Sequence, residues 1–163
     1  MNLNLNELVQ QVNGEFAERF EGRNLDLICI LQPEPLLIRA DSRRIWRVLE
    51  NLYVNVCKYA MPGTRVYVDA IKKDGKIQLS IKNISENPLN FQADELTERF
   101  IRGDVSRSTE GSGLGLSIAK NLTVLQHGSF NIYLDGDLFK VTITFDEAVK
   151  EKKPMPPMIV PEA

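Results

Sequence analysis

The chain has 163 residues, 43% of them hydrophobic and 26% charged, enough for one domain with a real core. Twenty basic against 22 acidic side chains leave a net charge of −2, which excludes the broad basic field that nucleic-acid binding needs. No apolar run reaches the length of a membrane span and no signal peptide is read at the start; Cys29 and Cys57 lack metal or redox spacing and are expected to be reduced, buried thiols of a cytosolic protein.

Leu5, Leu8, Val9, Val12, Phe16 and Phe20 recur at helical spacing over residues 3–22, which predicts an amphipathic opening helix stopped at Gly22. Strands are expected over Leu25–Leu31 and Leu36–Ala40, separated by a turn at Pro33 and Pro35. Asp41 or Ser42 caps a long helix to Tyr59 with Ile45, Val48, Leu49, Leu52 and Val56 on its apolar face, ended by Met61-Pro62-Gly63. Alternation over Arg65–Ile71 and Lys76–Ile84 around Asp74-Gly75 predicts an antiparallel hairpin. Residues 85–110 carry no strong strand pattern, only a short helical piece near Asp94–Ile101, and a loop of that length is usually functional. A glycine-led helix then runs to about Gln126, and a second hairpin joins Phe130–Leu134 to Leu138–Phe145 through Asp135-Gly136-Asp137. Residues 146–163 hold half of the eight prolines and read as an extended or disordered tail. The sum is an α+β chain, a two-layer α/β sandwich whose mixed, mostly antiparallel sheet is covered on one face by helices.

The most informative stretch is Glu110-Gly-Ser-Gly-Leu-Gly-Leu-Ser-Ile-Ala-Lys120. Gly111, Gly113 and Gly115 alternate ahead of an apolar-periodic run, so a glycine-rich turn feeds a helix whose unpaired first-turn N–H groups attract anions. There is no Gly-Lys-Ser/Thr, so it is not the usual P-loop, and the residues before it are too polar to be the strand of a dinucleotide fold. By itself the triplet is equally compatible with a structural loop.

A second stretch, Glu50-Asn-Leu-Tyr-Val-Asn-Val-Cys-Lys-Tyr59, lies upstream on the long helix. Together, in this order, the two resemble the N box and G2 box of the catalytic, ATP-binding domain of sensor histidine kinases, in the GHKL ATPase superfamily. The resemblance covers roughly Arg39 to Phe145 and implies a Bergerat fold, with a single catalytic domain over 1–145 and an ATP lid over 85–110.

Asn51, Asn55, Lys58 and Tyr59 form a polar stripe beside the apolar face, which without the glycine motif would read as a solvated helix face. The resemblance implies that Asn55 binds Mg²⁺, an ion suited to an amide oxygen supplemented by phosphates and water. It also implies that Asn51 supports metal and phosphates, that Lys58 and Tyr59 contact them, and that Gly111, Gly113, Leu114, Gly115 and Leu116 bind the ATP. Related gyrase-like and chaperone ATPases carry a water-activating glutamate where Asn51 stands. An amide lacks that basicity, which favours phosphoryl transfer over hydrolysis. Glu50 lies about 100° round the helix and is expected to point elsewhere.

Glu98-Arg-Phe-Ile-Arg-Gly-Asp104 resembles the F box. In it Phe100 would pack the lid and Arg102 would reach the polyphosphate as a catalytic cation, whereas Arg99 and Arg107 read as solvated. The G1 box, Asp-x-Gly-x-Gly, is absent: no glycine occurs between Gly75 and Gly103, and Asn83 stands where the adenine-reading aspartate is expected. Its amide can still accept from the adenine amino group, but an uncharged hydrogen bond is worth only ~0.5–1.5 kcal/mol. Weaker or differently gated ATP binding follows. The one histidine, His127 in Gln126-His127-Gly128, reads as a helix-end cap rather than a phosphoacceptor.

The resemblance therefore implies ATP and Mg²⁺ as ligands and, as partners, the dimerisation and histidine-phosphoacceptor domain of the same receptor and a downstream response regulator. The chain would be the cytoplasmic part of a membrane-anchored parent. Two other readings stay open at this point: a degenerate nucleotide-binding or scaffolding module, motivated by the missing glycine box, and an anti-sigma-type serine kinase.

Overall fold

Asn4 opens the first helix by turning its Oδ1 to the backbone N–H of Asn6 (3.1 Å), and the same oxygen accepts from Leu36 N (3.3 Å). In the computed structural model, which describes residues 2–89 and 114–148, that helix is α1 (Leu5–Gly22). It follows a short strand, β1 (Asn2–Asn4). Strands β2 (Asp26–Leu31) and β3 (Leu37–Arg39) lead to α2 (Ser42–Tyr59). Then come β4 (Arg65–Lys73), β5 (Lys76–Ile84), α3 (Leu114–Leu125), β6 (Ser129–Asp135) and β7 (Leu138–Asp146).

The main sheet has the order β2-β4-β5-β7-β6. Only β2 and β4 run parallel, which the intervening α2 crossover allows; the other pairings are antiparallel. The mixed, mostly antiparallel sheet is thus as expected. Asp74 and Gly75 both hold positive φ (53° and 74°), the geometry of a two-residue hairpin whose twist matches the strands. One face of the sheet presents Val66, Val68, Ala70, Ile77, Leu79, Ile81, Val141 and Ile143, all buried, to the helices. Against them pack the apolar stripes of α1 and α2, including every residue expected on those faces. Tyr53 joins Phe16 edge-on (5.5 Å between centroids) and Phe20 stacked (5.6 Å), and its hydroxyl donates to Asn13 Oδ1.

Four expectations need correction. β3 does not join the main sheet; it pairs with β1, an element the periodicity did not announce, because β1 has only three residues. Gly22 does not stop α1: it is the last helical residue, and Asn24 (φ 56°) takes the left-handed position, with Leu25 N donating to Phe20 O and Asn24 N to Glu21 O. Both cysteines are free but half-buried rather than buried. The folded body also extends past residue 145: β7 ends at Asp146, and Ala148 N donates to Leu37 O (2.8 Å). The remainder of the expected tail, 149–163, lies outside the described residues, as do 90–113.

Candidate active site

Helices α2 and α3 run antiparallel, pinned at two points. At one, Asp41 at the head of α2 donates its backbone N–H to Gln126 Oε1 just past the end of α3 (2.8 Å). At the other, a β-carbon built on Gly115 would lie 3.7 Å from Asn51 Oδ1 and 3.8 Å from Asn51 O. The main chain in the first turn of α3 therefore comes against the middle of α2. Continuing along α2, Asn55, Lys58 and Tyr59 fall beyond Leu114, on the side toward which the positive end of the α3 dipole points.

Each side chain of the stripe has its own environment. Asn51 is half-buried and donates Nδ2 to Arg47 O one turn back (2.9 Å), which leaves Oδ1 on the Gly115 side. Asn55 is buried, 9% exposed, and its amide has no hydrogen-bond partner among the described residues. Lys58 is exposed. Tyr59 is half-buried, and burial raises its hydroxyl pKa, so the hydroxyl stays protonated at neutral pH. Glu50 is exposed on another face of α2, as its helical position requires.

The third wall is the end of β5. Met61 N donates to Ile84 O (2.8 Å), Glu86 N to Tyr59 O (2.8 Å), and Ala60 bridges Ser85, so the strand end is stitched to the end of α2. Asn83 continues the inward-facing row of Ile77, Leu79 and Ile81. It is 2% exposed, and its Oδ1 is buried without a hydrogen-bond partner. A buried acceptor without a protein partner is costly, and a ligand bearing a donor would satisfy it.

These observations fit the groups that the sequence motifs call for. The buried amide of Asn55 suits Mg²⁺, which takes hard oxygen ligands and keeps phosphate and water in the rest of its shell. Among the described residues no three His, Cys, Asp or Glu side chains cluster to hold a metal. Leu116 is buried (2% exposed) and anchors α3 in the core, so any contact from it to a ligand comes through its main chain. Gly111, Gly113 and Arg102 lie outside the described residues, as does the side chain of Leu114. His127 sits at the far end of α3, roughly 18 Å from its start. It holds φ 65° and closes the helix, with His127 N donating to Val124 O and Gly128 N to Thr123 O.

One contributor to the rim had no local signal. Arg23, just past α1, donates Nη2 to Ala60 O (2.9 Å) and faces Glu86 (3.6 Å), tying α1 to the junction of α2 and β5. Its role depends on two residues far away in sequence, which spacing along the chain does not reveal.

Residues 40–149 match the family model described as histidine kinase-, DNA gyrase B-, and HSP90-like ATPase. The chain belongs to this ATPase family. ATP is accordingly the nucleotide of the site. The chain is 31% identical over 123 residues to the signal transduction histidine-protein kinase BaeS of Escherichia coli, covering 74% of this chain and 26% of that one. It is 29% identical over 130 residues to the sensor histidine kinase RppB of Synechocystis, covering 78% and 29%. Among solved structures, the catalytic domain of histidine kinase ThkA superposes with a TM-score of 0.77 at 25% identity, over 90% of this chain and 95% of that one. The chain thus spans between a quarter and a third of the length of these two relatives, and it has the fold of a histidine kinase catalytic domain. No helix among the described residues is long and apolar enough to cross a membrane.

Proposed function

We propose that the chain is the ATP·Mg²⁺-binding catalytic domain of a two-component sensor histidine kinase. It delivers the γ-phosphoryl group of ATP to a histidine on the dimerisation and phosphoacceptor domain of the same receptor, for relay to a response regulator. The observation that carries this is the antiparallel seating of α3 on α2, with Gly115 against Asn51 and the buried Asn55 and the orphaned Oδ1 of Asn83 on the walls beyond it. The relatives BaeS and RppB are named as sensor kinases, and a structure of ThkA in complex with the response regulator TrrA has the same fold, with a TM-score of 0.72.

In this reading Asn55 holds Mg²⁺, which screens the polyphosphate charge, and Asn51 supports that shell. The main-chain N–H groups from Gly111, Gly113, Leu114, Gly115 and Leu116 hold phosphate oxygens at the positive end of α3. Lys58 neutralises charge at the rim and Tyr59 donates a hydrogen bond. Asn83 reads the base. The lid expected over 85–110 begins no earlier than residue 87, since Ser85 N and Glu86 N are bonded to Asp137 O and Tyr59 O, and it brings Arg102 to the phosphoryl group in transit. Asn51 cannot take a proton from water, so the acceptor must be a nucleophile carried in by the partner domain. The parent receptor is membrane-anchored and this part of it cytoplasmic.

The test is calorimetric titration of a non-hydrolysable ATP analogue with and without Mg²⁺, for the chain and for Asn55→Ala. Saturable Mg²⁺-dependent binding that Asn55→Ala weakens at least tenfold supports the reading. Binding that is absent, or indifferent to Mg²⁺ and to the substitution, sinks it. A degenerate module without kinase activity is the second reading, favoured by the amide at Asn83 and the lack of any glycine between Gly75 and Gly103. It requires that Asn55→Ala leave signalling by the full-length parent unchanged.

A further inference from the structure

The amide of Asn83 differs from a carboxylate in more than charge. A carboxylate only accepts hydrogen bonds, so it pairs with the 6-amino group of adenine and opposes the 6-oxo group of hypoxanthine. An amide carries an acceptor and two donors on one plane, and a half-turn about its last bond exchanges them. In this chain the acceptor end of that plane is not fixed: Oδ1 is buried and has no hydrogen-bond partner among the described residues. The backbone around it is rigid, with Asn83 in register with Phe139 and Ser85 N donating to Asp137 O (2.7 Å), so the side chain turns on a fixed base. Its flanks on the inner face, Ile81 and the buried Ser85, bring no charge that would prefer one orientation.

We infer that Asn83 makes the base pocket indifferent to whether purine C6 carries an amino or an oxo group, so that the site takes hypoxanthine nucleotides alongside adenine nucleotides. Oδ1 accepts from the 6-amino group; after the half-turn, Nδ2 donates to the 6-oxo group. This rests on the nucleotide-binding reading above and adds a substrate class to it.

The test displaces a fluorescent ATP analogue from the whole chain with ATP or inosine triphosphate, in Mg²⁺. For the natural sequence the two dissociation constants should agree within about threefold, and Asn83→Asp should raise the inosine-to-adenosine ratio by roughly tenfold or more, the scale of one hydrogen bond exchanged for an opposed pair of acceptors. If Asn83→Asp does not fold with a carboxylate at so buried a place, Asn83→Ala serves: it should weaken both nucleotides by a similar factor. Rejection of inosine triphosphate by a hundredfold in the natural sequence overturns the inference, as does a ratio that Asn83→Asp leaves unchanged or an alanine variant that loses adenosine binding alone. In each of those cases the ATP site itself survives. Failure of any nucleotide to displace the probe overturns both.

Discussion

Gly115 meets Asn51 across the seam of two antiparallel helices, its α-carbon turned to the amide oxygen that the Asn51–Arg47 hydrogen bond leaves free. A methyl group added there stands 3.7–4.0 Å from Asn51 atoms, ordinary contact distance, so Gly115→Ala should fold. Alanine is favoured over glycine in a helix by about 0.5–1 kcal/mol, so the unfolding midpoint should hold or rise. The same methyl makes only ordinary contact with Asn51 Oδ1, so Mg²⁺-dependent affinity for an ATP analogue should stay within about threefold. Thermal unfolding and calorimetry on one preparation check both. Loss of stability together with affinity would mean that the seam is tighter than these distances allow.

Gly128 and His127 have exchanged the roles their types suggest. His127 holds the left-handed conformation, while Gly128 is required for space: a β-carbon there would lie 2.5 Å and 2.8 Å from the Phe145 ring and 2.9 Å from Thr123 Cγ2. Phe145 is buried and cannot retreat. Gly128→Ala should cost about 1–3 kcal/mol, a drop of roughly 2–4 °C per kcal/mol for a chain of this size. His127→Gly should gain about 0.5–1 kcal/mol by relieving the strained φ, and should leave phosphoryl transfer to a partner domain unchanged. If His127→Gly abolishes phosphate labelling, the histidine is part of the chemistry.

Asn83→Leu sets stability against binding. Leucine keeps the branch point, removes the orphaned acceptor and matches the row of Ile77, Leu79 and Ile81. An unmade buried hydrogen bond costs about 1–3 kcal/mol, so the nucleotide-free variant should melt higher by a few degrees while its nucleotide affinity drops. Denaturant titration without nucleotide checks the first half. A variant less stable than the parent would show that the amide is satisfied in the folded chain.

Alkaline pH should unfold the protein earlier than its composition alone would indicate. Burial raises the thiols of Cys29 and Cys57 above 9.0 and the hydroxyls of Tyr53 and Tyr59 above 10.0. All four are acids held protonated by the fold. Their contribution is complete below the unfolded values and is lost as pH rises through the folded ones. The unfolding midpoint should be flat from pH 7 to about 8.5 and fall from about 9 upward. Tyr53→Phe should flatten that fall while lowering neutral stability by about 1 kcal/mol, since Asn13 Oδ1 loses its donor. A midpoint independent of pH up to 11 would contradict the raised values.

Elements whose cause is local were legible along the chain. The 3.6-residue recurrence that buries Ile45, Val48, Leu49, Leu52 and Val56 is a property of consecutive residues, as are the cap at Asp41 and the left-handed pair Asp74-Gly75. The polar stripe of Asn51, Asn55, Lys58 and Tyr59 was readable for the same reason. Neither β1 nor its pairing with β3 was, because a three-residue strand has no period to detect and its partner lies more than thirty residues away. The Asn24 turn escaped notice because a glycine two residues earlier offered a more familiar stop.

What the residue order determined unaided was the helices and the longer strands and the chemistry on their faces, since both follow from contacts within a few residues. Only tertiary packing decided which faces meet: that Gly115 comes to Asn51, that Gly128 must leave room for Phe145, and that Asn83 ends the core row with its oxygen unpaired. Those relationships join residues from 17 to 64 apart by sequence number or rest on burial by several elements at once. Proximity of that kind is created by the collapse of the whole chain, not by the neighbours of any one residue.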